Sequence, residues 1–180
     1  MHILDIIQNS LSAGASIIEL EVWESIVNNL LTIKIKDNGK GMSPEQVAKV
    51  TDPFFTSRTT RKVGMGLPLY KQSAEQSGGK LIIESEVGVG TTVTATFGHD
   101  PVDRPPMGAL ANAVVLMMSA NPNHQFRFTY SYNDQSYSID TQEINQALDG
   151  LPIHDVHVIK MITQIIEDNM LAVREPRLLK

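Results

Sequence analysis

Asp5 and Asn9 are four residues apart in a stretch that reads as a helix, so they lie on one face, one turn apart. An Asn carboxamide oxygen is a neutral, hard ligand. It suits a Mg2+ held mostly by phosphate oxygens and water, where one protein ligand is often enough. Alone, the pair reads rather as solvated residues on a surface helix. Three further segments follow in order. Asp37-Asn38-Gly39-Lys40-Gly41-Met42 stands at a predicted strand end. A carboxylate there can accept a hydrogen bond from an adenine amino group, which the guanine carbonyl does not offer. Gly39 and Gly41 permit a tight backbone turn beside a base; an ordinary Asp-Asn-Gly turn is the plain alternative. Gly64-Met65-Gly66-Leu67 precedes a helix start. Free amides and the positive dipole end of a helix favour phosphate there, and glycines let backbone come close. Arg58 or Lys62, in a basic cluster with Arg61, can neutralise phosphate charge; which one does so is not legible. The last segment, Gly90-Thr91-Thr92, opens a strand.

The elements that must position these residues follow from periodicity. Ile3, Ile6, Ile7 and Leu11 mark one face of a helix over 3–11, and Ser12-Ala13-Gly14-Ala15-Ser16 ends it. Ile18, Leu20 and Val22 alternate with Glu19 and Glu21; Leu31, Ile33 and Ile35 alternate with Thr32, Lys34 and Lys36. These are two half-buried strands, paired as a hairpin around Asn28-Asn29. Ser43-Pro44-Glu45 starts a short helix to about Val50. Residues 51–66 form a long connection without periodicity, and a loop of that length is usually functional. A helix near Pro68 runs to about Ser77, where Gly78-Gly79 stops it. Strands over 81–85 and 92–97 close the first half. The Pro-rich run 99–106 reads as a linker between a domain over 1–98 and a smaller α+β C-terminal region over 107–180. That region reads as an apolar helix (107–119), a hairpin around Asn133-Asp134, a helix over 141–148 capped by Thr141, and an amphipathic helix over 154–171. No catalytic motif is recognised in it.

The 180 residues suit one domain, or one with a substantial appendix, and the 42% apolar content fills an ordinary core. Cysteine is absent, which excludes disulfides and thiolate metal sites. No long apolar run or leader pattern is present, so no membrane span is read and a cytoplasmic location is expected. The net charge of −5 speaks against a broad nucleic-acid surface. His2 reads as structural or solvated. His154 and His157, at i and i+3, lack nameable further ligands, so no metal is assigned to them.

In this order, the four segments resemble the ATP-binding domain of the GHKL superfamily: DNA gyrase, the heat-shock chaperone ATPases, sensor histidine kinases and the mismatch-repair protein MutL. The resemblance covers about residues 1–97. It implies the Bergerat fold: an α+β, two-layer α/β sandwich with helices on one face of a mixed, mainly antiparallel sheet. It also implies ATP and Mg2+ as cofactors, with Asn9 as the metal ligand. The residue one turn earlier is a general-base Glu in gyrase, MutL and several kinases of the group; here it is Asp5, one methylene shorter. Asp37 takes the place of the adenine-binding Asp, Met42 that of the apolar residue that packs the base, and Gly64, Met65, Gly66 and Leu67 that of the hinge of the ATP lid. Thr91, with Thr92 as alternate, matches a Thr that touches adenine through water. Asp52-Pro53-Phe54-Phe55 is similar to the phenylalanine-bearing box of histidine kinases, and residues 8–16 look like MutL.

Two departures from the family stand out. Almost nothing precedes the metal-binding helix, and the lid over 51–63 is short. No acceptor histidine on a dimerising hairpin is read ahead of the pocket. The leading expectation is thus a stand-alone histidine-kinase-like protein that binds Mg–ATP and hydrolyses it slowly or phosphorylates a protein partner. The alternatives are a non-catalytic, ATP-responsive regulatory module and a MutL-like repair fragment. Superfamily members commonly act as dimers, so a homodimer through the C-terminal region is also expected.

Overall fold

Alternating apolar residues build the sheet that carries the chain. The computed structural model describes residues 3–52, 66–98 and 107–175. In chain order the elements are α1 (Ile3–Ser12), β1 (Ile17–Ser25), β2 (Leu30–Asp37), α2 (Pro44–Val50), α3 (Gly66–Gln76), β3 (Lys80–Glu86) and β4 (Gly90–Gly98). Then come α4 (Met107–Ala120), β5 (Gln125–Tyr132), β6 (Gln135–Asp140), α5 (Thr141–Leu148) and α6 (Val156–Arg174). The strands form one open sheet in the order β3-β4-β2-β1-β5-β6. All its pairings are antiparallel except β1 with β5, which run parallel. The architecture is the α+β two-layer sandwich expected from the sequence.

Strand pleating separates the two faces. Ile18, Leu20 and Val22 of β1, Ile33 and Ile35 of β2, Val93 and Ala95 of β4, and Phe126, Phe128 and Tyr130 of β5 are buried. Their partners one residue along, such as Glu21, Lys36 and Arg127, stay exposed. The buried face packs against Ile3, Ile6 and Ile7 of α1, Leu67 and Tyr70 of α3, Val115 and Met118 of α4, and Ile162, Ile166 and Met170 of α6 in one continuous core. Each such aliphatic side chain contributes about 1.5–3 kcal/mol by leaving water.

The segment after residue 106 joins this sheet directly. β5 pairs with β1 from Ile17↔Gln125 to Glu24↔Tyr132. At the end of that ladder Asn133, in the left-handed region at φ 52°, docks the β5–β6 turn onto the β1–β2 turn. Its amide donates to the Glu24 carbonyl at 2.8 Å, and its Oδ1 accepts from the Ile26 amide at 3.0 Å. Beneath them Glu24 is 2% exposed. It accepts from Tyr130 Oη and, on both oxygens, from Arg174 Nη2 at 2.7 and 2.6 Å. Burial opposes the Arg174 charge, but the hydrogen bonds and charge of Glu24, with Tyr130, outweigh it and hold the guanidinium above its ordinary value. Burial, then the hydrogen bond and charge of Glu24, push the Tyr130 phenol up.

Two local expectations change. The cap of α5 is Asp140, whose side chain accepts from the Glu143 amide at 2.8 Å. Thr141 turns inward instead, where its hydroxyl accepts from the Phe126 amide at 2.9 Å and donates to the Phe126 carbonyl at 3.2 Å. Similarly, α6 is capped by Asp155, so His154 lies in the turn before the helix, not on it.

Candidate functional site

The last turn of α1 and the end of β2 meet through Ser10 and Asp37. α1 stops at Gly14, at φ 76°, with the Ala15 amide returning to the Ser10 carbonyl at 3.1 Å and the Gly14 amide to that of Leu11 at 3.0 Å. This closed helix end leaves the Ala13 carbonyl to accept from the Lys40 amide at 2.9 Å, which clamps the 37–42 loop on the helix. Inside that clamp the Ser10 hydroxyl donates to Asp37 Oδ2 at 2.6 Å. Asp37 Oδ1 accepts the amides of Gly39 at 2.9 Å and Thr91 at 3.3 Å. The carboxylate is half-buried and held on three sides.

The loop glycines serve protein packing. At Gly41, φ is 70° and a Cβ would stand 1.9 Å from the Glu86 carbonyl oxygen. At Gly90, φ is 142° and a Cβ would stand 2.0 Å from the Asp37 carbonyl oxygen. Only glycine lets the β3–β4 turn close over the loop this tightly. At Gly39 a Cβ would press on the Ala13 Cβ at 2.9 Å. Asn38 staples the loop to β1: its Oδ1 accepts the amides of Ser16 and Ile17, both at 2.9 Å.

Register sets Thr91 opposite Asp37, whereas Thr92 pairs with Lys36. The Thr91 hydroxyl lies 2.8 Å from Ser85 Oγ, which also accepts the Met42 amide at 2.8 Å and donates to the Gly90 carbonyl at 3.1 Å. If Ser85 gives its proton to Gly90, it takes the Thr91 proton, and Thr91 Oγ1 then offers only lone pairs. Asp37, Thr91 and the half-buried Met42 are therefore joined in one small hydrogen-bonded region.

The other end of α1 meets α3. Gly66 opens α3, and a Cβ there would stand 3.0 Å from Asp5 Cβ and 3.8 Å from Asp5 Oδ2. Asp5 is exposed, and Asn9, one turn on, is half-buried. The N-terminal end of α3 thus adjoins the carboxylate of α1. Leu67 is 6% exposed and packs in the core. Arg58, Lys62, Gly64 and Met65, with Phe54 and Phe55, lie outside the described residues.

The donor set fits a magnesium nucleotide. The hard oxygen of Asp5 stands beside the first residue of α3, that of Asn9 follows one turn on along α1, and the Asp37 carboxylate is linked to Met42 through Thr91 and Ser85. Among the described residues, no group of three or more His, Cys, Asp or Glu gathers to hold a metal. A cation carried by phosphate oxygens needs no such group. No described helix is long and apolar enough to cross a membrane.

A sheet backed by helices, with an Asp–Gly loop and a helix N-terminus at the two ends of α1, defines a nucleotide-binding domain of the Bergerat type. Residues 2–101 match the family "Histidine kinase-, DNA gyrase B-, and HSP90-like ATPase", and the chain belongs to it. It thus carries a histidine-kinase-like, ATP-binding domain. A putative sensor protein of Shewanella frigidimarina is 31% identical over 97 residues, covering 53% of this chain and 15% of the relative. The sensor protein kinase WalK of Staphylococcus haemolyticus is 33% identical over 97 residues, 51% of this chain and 16% of its own length. Sporulation kinase D of Bacillus subtilis is 35% identical over 95 residues, 53% of this chain and 19% of its own. The matched segment spans less than a fifth of each of these relatives.

Ser10, Asn38 and Ser85 are the site residues that sequence reasoning missed. Each acts on a partner more than twenty positions away, so no local spacing marks it.

Proposed function

We propose that this chain binds Mg–ATP along α1, with the base at the Asp37 end and the phosphates at the Asp5 end. In this reading it passes the terminal phosphoryl to a protein partner, or slowly to water. The observation that supports it is the connection through α1: one helix touches both the base-reading carboxylate, through Ser10, and the N-terminus of α3, through Asp5. Asp37 Oδ2 accepts from the adenine amino group, Met42 packs the base, and Thr91 reaches it through water. Asn9 would hold Mg2+, whose charge would offset that of the phosphate oxygens. Asp5 orients the attacking oxygen and takes its proton. The amides at Gly64, Met65 and Gly66 cradle phosphate, and Arg58 or Lys62 offsets its charge.

Turnover of ATP by the full chain tests the catalytic part. Asp5→Asn removes the base, so it should lower phosphate release or partner phosphorylation by about a hundredfold or more while ATP still binds. Robust turnover indifferent to that change would remove Asp5 from its role.

A second reading, an ATP-responsive regulatory module, draws support from β1. One end of this strand is stapled to the nucleotide loop by Asn38, and the other holds α6 through Glu24. Tight Mg–ATP binding by calorimetry, with neither phosphate released nor protein labelled, would favour this reading over the kinase. A homodimer through the C-terminal region, 107–180, belongs to either reading, and light scattering across a concentration series tests it.

A further inference from the structure

Asp37 has four lone-pair directions, and three are taken. Oδ1 receives the amides of Gly39 and Thr91. Oδ2 receives the Ser10 hydroxyl, and one direction on Oδ2 remains. Ser10 has a single proton and two acceptors in range: its own helix, at the Ile6 carbonyl 3.4 Å away, and Asp37 Oδ2 at 2.6 Å. The short bond to a charged oxygen wins, because such bonds are about twice as strong as neutral ones. Ser10 is 4% exposed, so water does not substitute for it readily. The hydroxyl therefore sets which way the one remaining lone pair points.

We propose that Ser10 is a positioning residue that gives the pocket its preference for a 6-aminopurine nucleotide, by holding Asp37 Oδ2 toward the amino group. Ser10 does not touch the base; it acts through Asp37. This inference rests on the reading of Asp37 as the acceptor for the base, and it adds the residue that aims that acceptor.

The test is a binding cycle on the full chain with two probes: ATP, and purine riboside triphosphate, which lacks the 6-amino group. Equilibrium affinities are measured with Mg2+ for the wild type, Ser10→Ala, Ser10→Cys and Ser10→Thr. Ser10→Cys keeps the shape of the buried side chain but has only a weak donor, so it asks the same question if the alanine variant does not fold. Ser10→Ala and Ser10→Cys should weaken ATP about tenfold, the loss of one charge-assisted hydrogen bond, and leave purine riboside triphosphate unchanged. Ser10→Thr, which restores a hydroxyl, should keep the wild-type ratio. Equal weakening of both nucleotides, or a ratio untouched in Ser10→Ala and Ser10→Cys, would overturn the role of Ser10. A wild type with no preference between the probes would instead overturn the reading of Asp37, and with it this inference.

Discussion

Gly41 shows how the site is held at the scale of a single residue. Its φ of 70° and the Glu86 carbonyl, 1.9 Å from where a Cβ would sit, leave no room for any side chain. Gly41→Ala should destabilise the chain by roughly 2–3 kcal/mol through backbone strain and displacement of the β3–β4 turn. Urea unfolding monitored by circular dichroism measures this, and an unchanged midpoint would contradict the packing described. The sequence marks Gly41 and Asp37 because their residue types and spacing form a motif that can be read locally. It does not mark Ser10, which reads as one more polar residue on a helix. Its partner lies 27 positions away, and only the closed end of α1 brings the two together. Ser85 is hidden for the same reason: a serine in an edge strand is unremarkable until it bridges Met42 and Thr91.

Elements with a strong period were legible. α1, β1, β2 and the β5–β6 hairpin fall within a few residues of their expected bounds, because alternation and helical spacing report which face is buried. Caps were less so. Asp140 and Thr141 are both good capping residues, and tertiary packing decided between them by drawing Thr141 under Phe126. The C-terminal half of α6 is set by a contact that periodicity cannot report, the ion pair of Arg174 with buried Glu24. Arg174→Met takes the guanidinium from that carboxylate and should lower stability by about 3–5 kcal/mol. The double variant Glu24→Gln, Arg174→Met should recover part of that loss, since no buried carboxylate then remains to be compensated. Thermal unfolding of the three proteins decides. A single variant as stable as the wild type would mean that the pair contributes little.

At the scale of the molecule, β1 is the centre. It pairs with β2 on one side and with β5 on the other, so residues on either side of the Pro-rich run 99–106 share one sheet. That parallel pairing was not legible. A strand gives no sign of which distant strand it will join, and the connection passes through α4 first. A ligand bound only by the folded chain adds stability to the whole sheet. Mg–ATP at about 100 times its dissociation constant adds about 2.7 kcal/mol. For a chain of this size that is a rise in Tm of roughly 5–10 °C. The rise should shrink when Mg2+ is chelated, and an unmoved Tm would speak against a metal-assisted site.

In the proposed function Asp37, held by Ser10 and two backbone amides, reads the base of ATP. Asp37→Asn keeps the shape of the side chain but replaces one acceptor oxygen with a donor amide. Calorimetric titration of Mg–ATP into the full chain compares the two proteins directly. The wild type should bind saturably, and Asp37→Asn should lose at least about tenfold in affinity. Equal affinity in both proteins, or no heat of binding in the wild type, would contradict this reading.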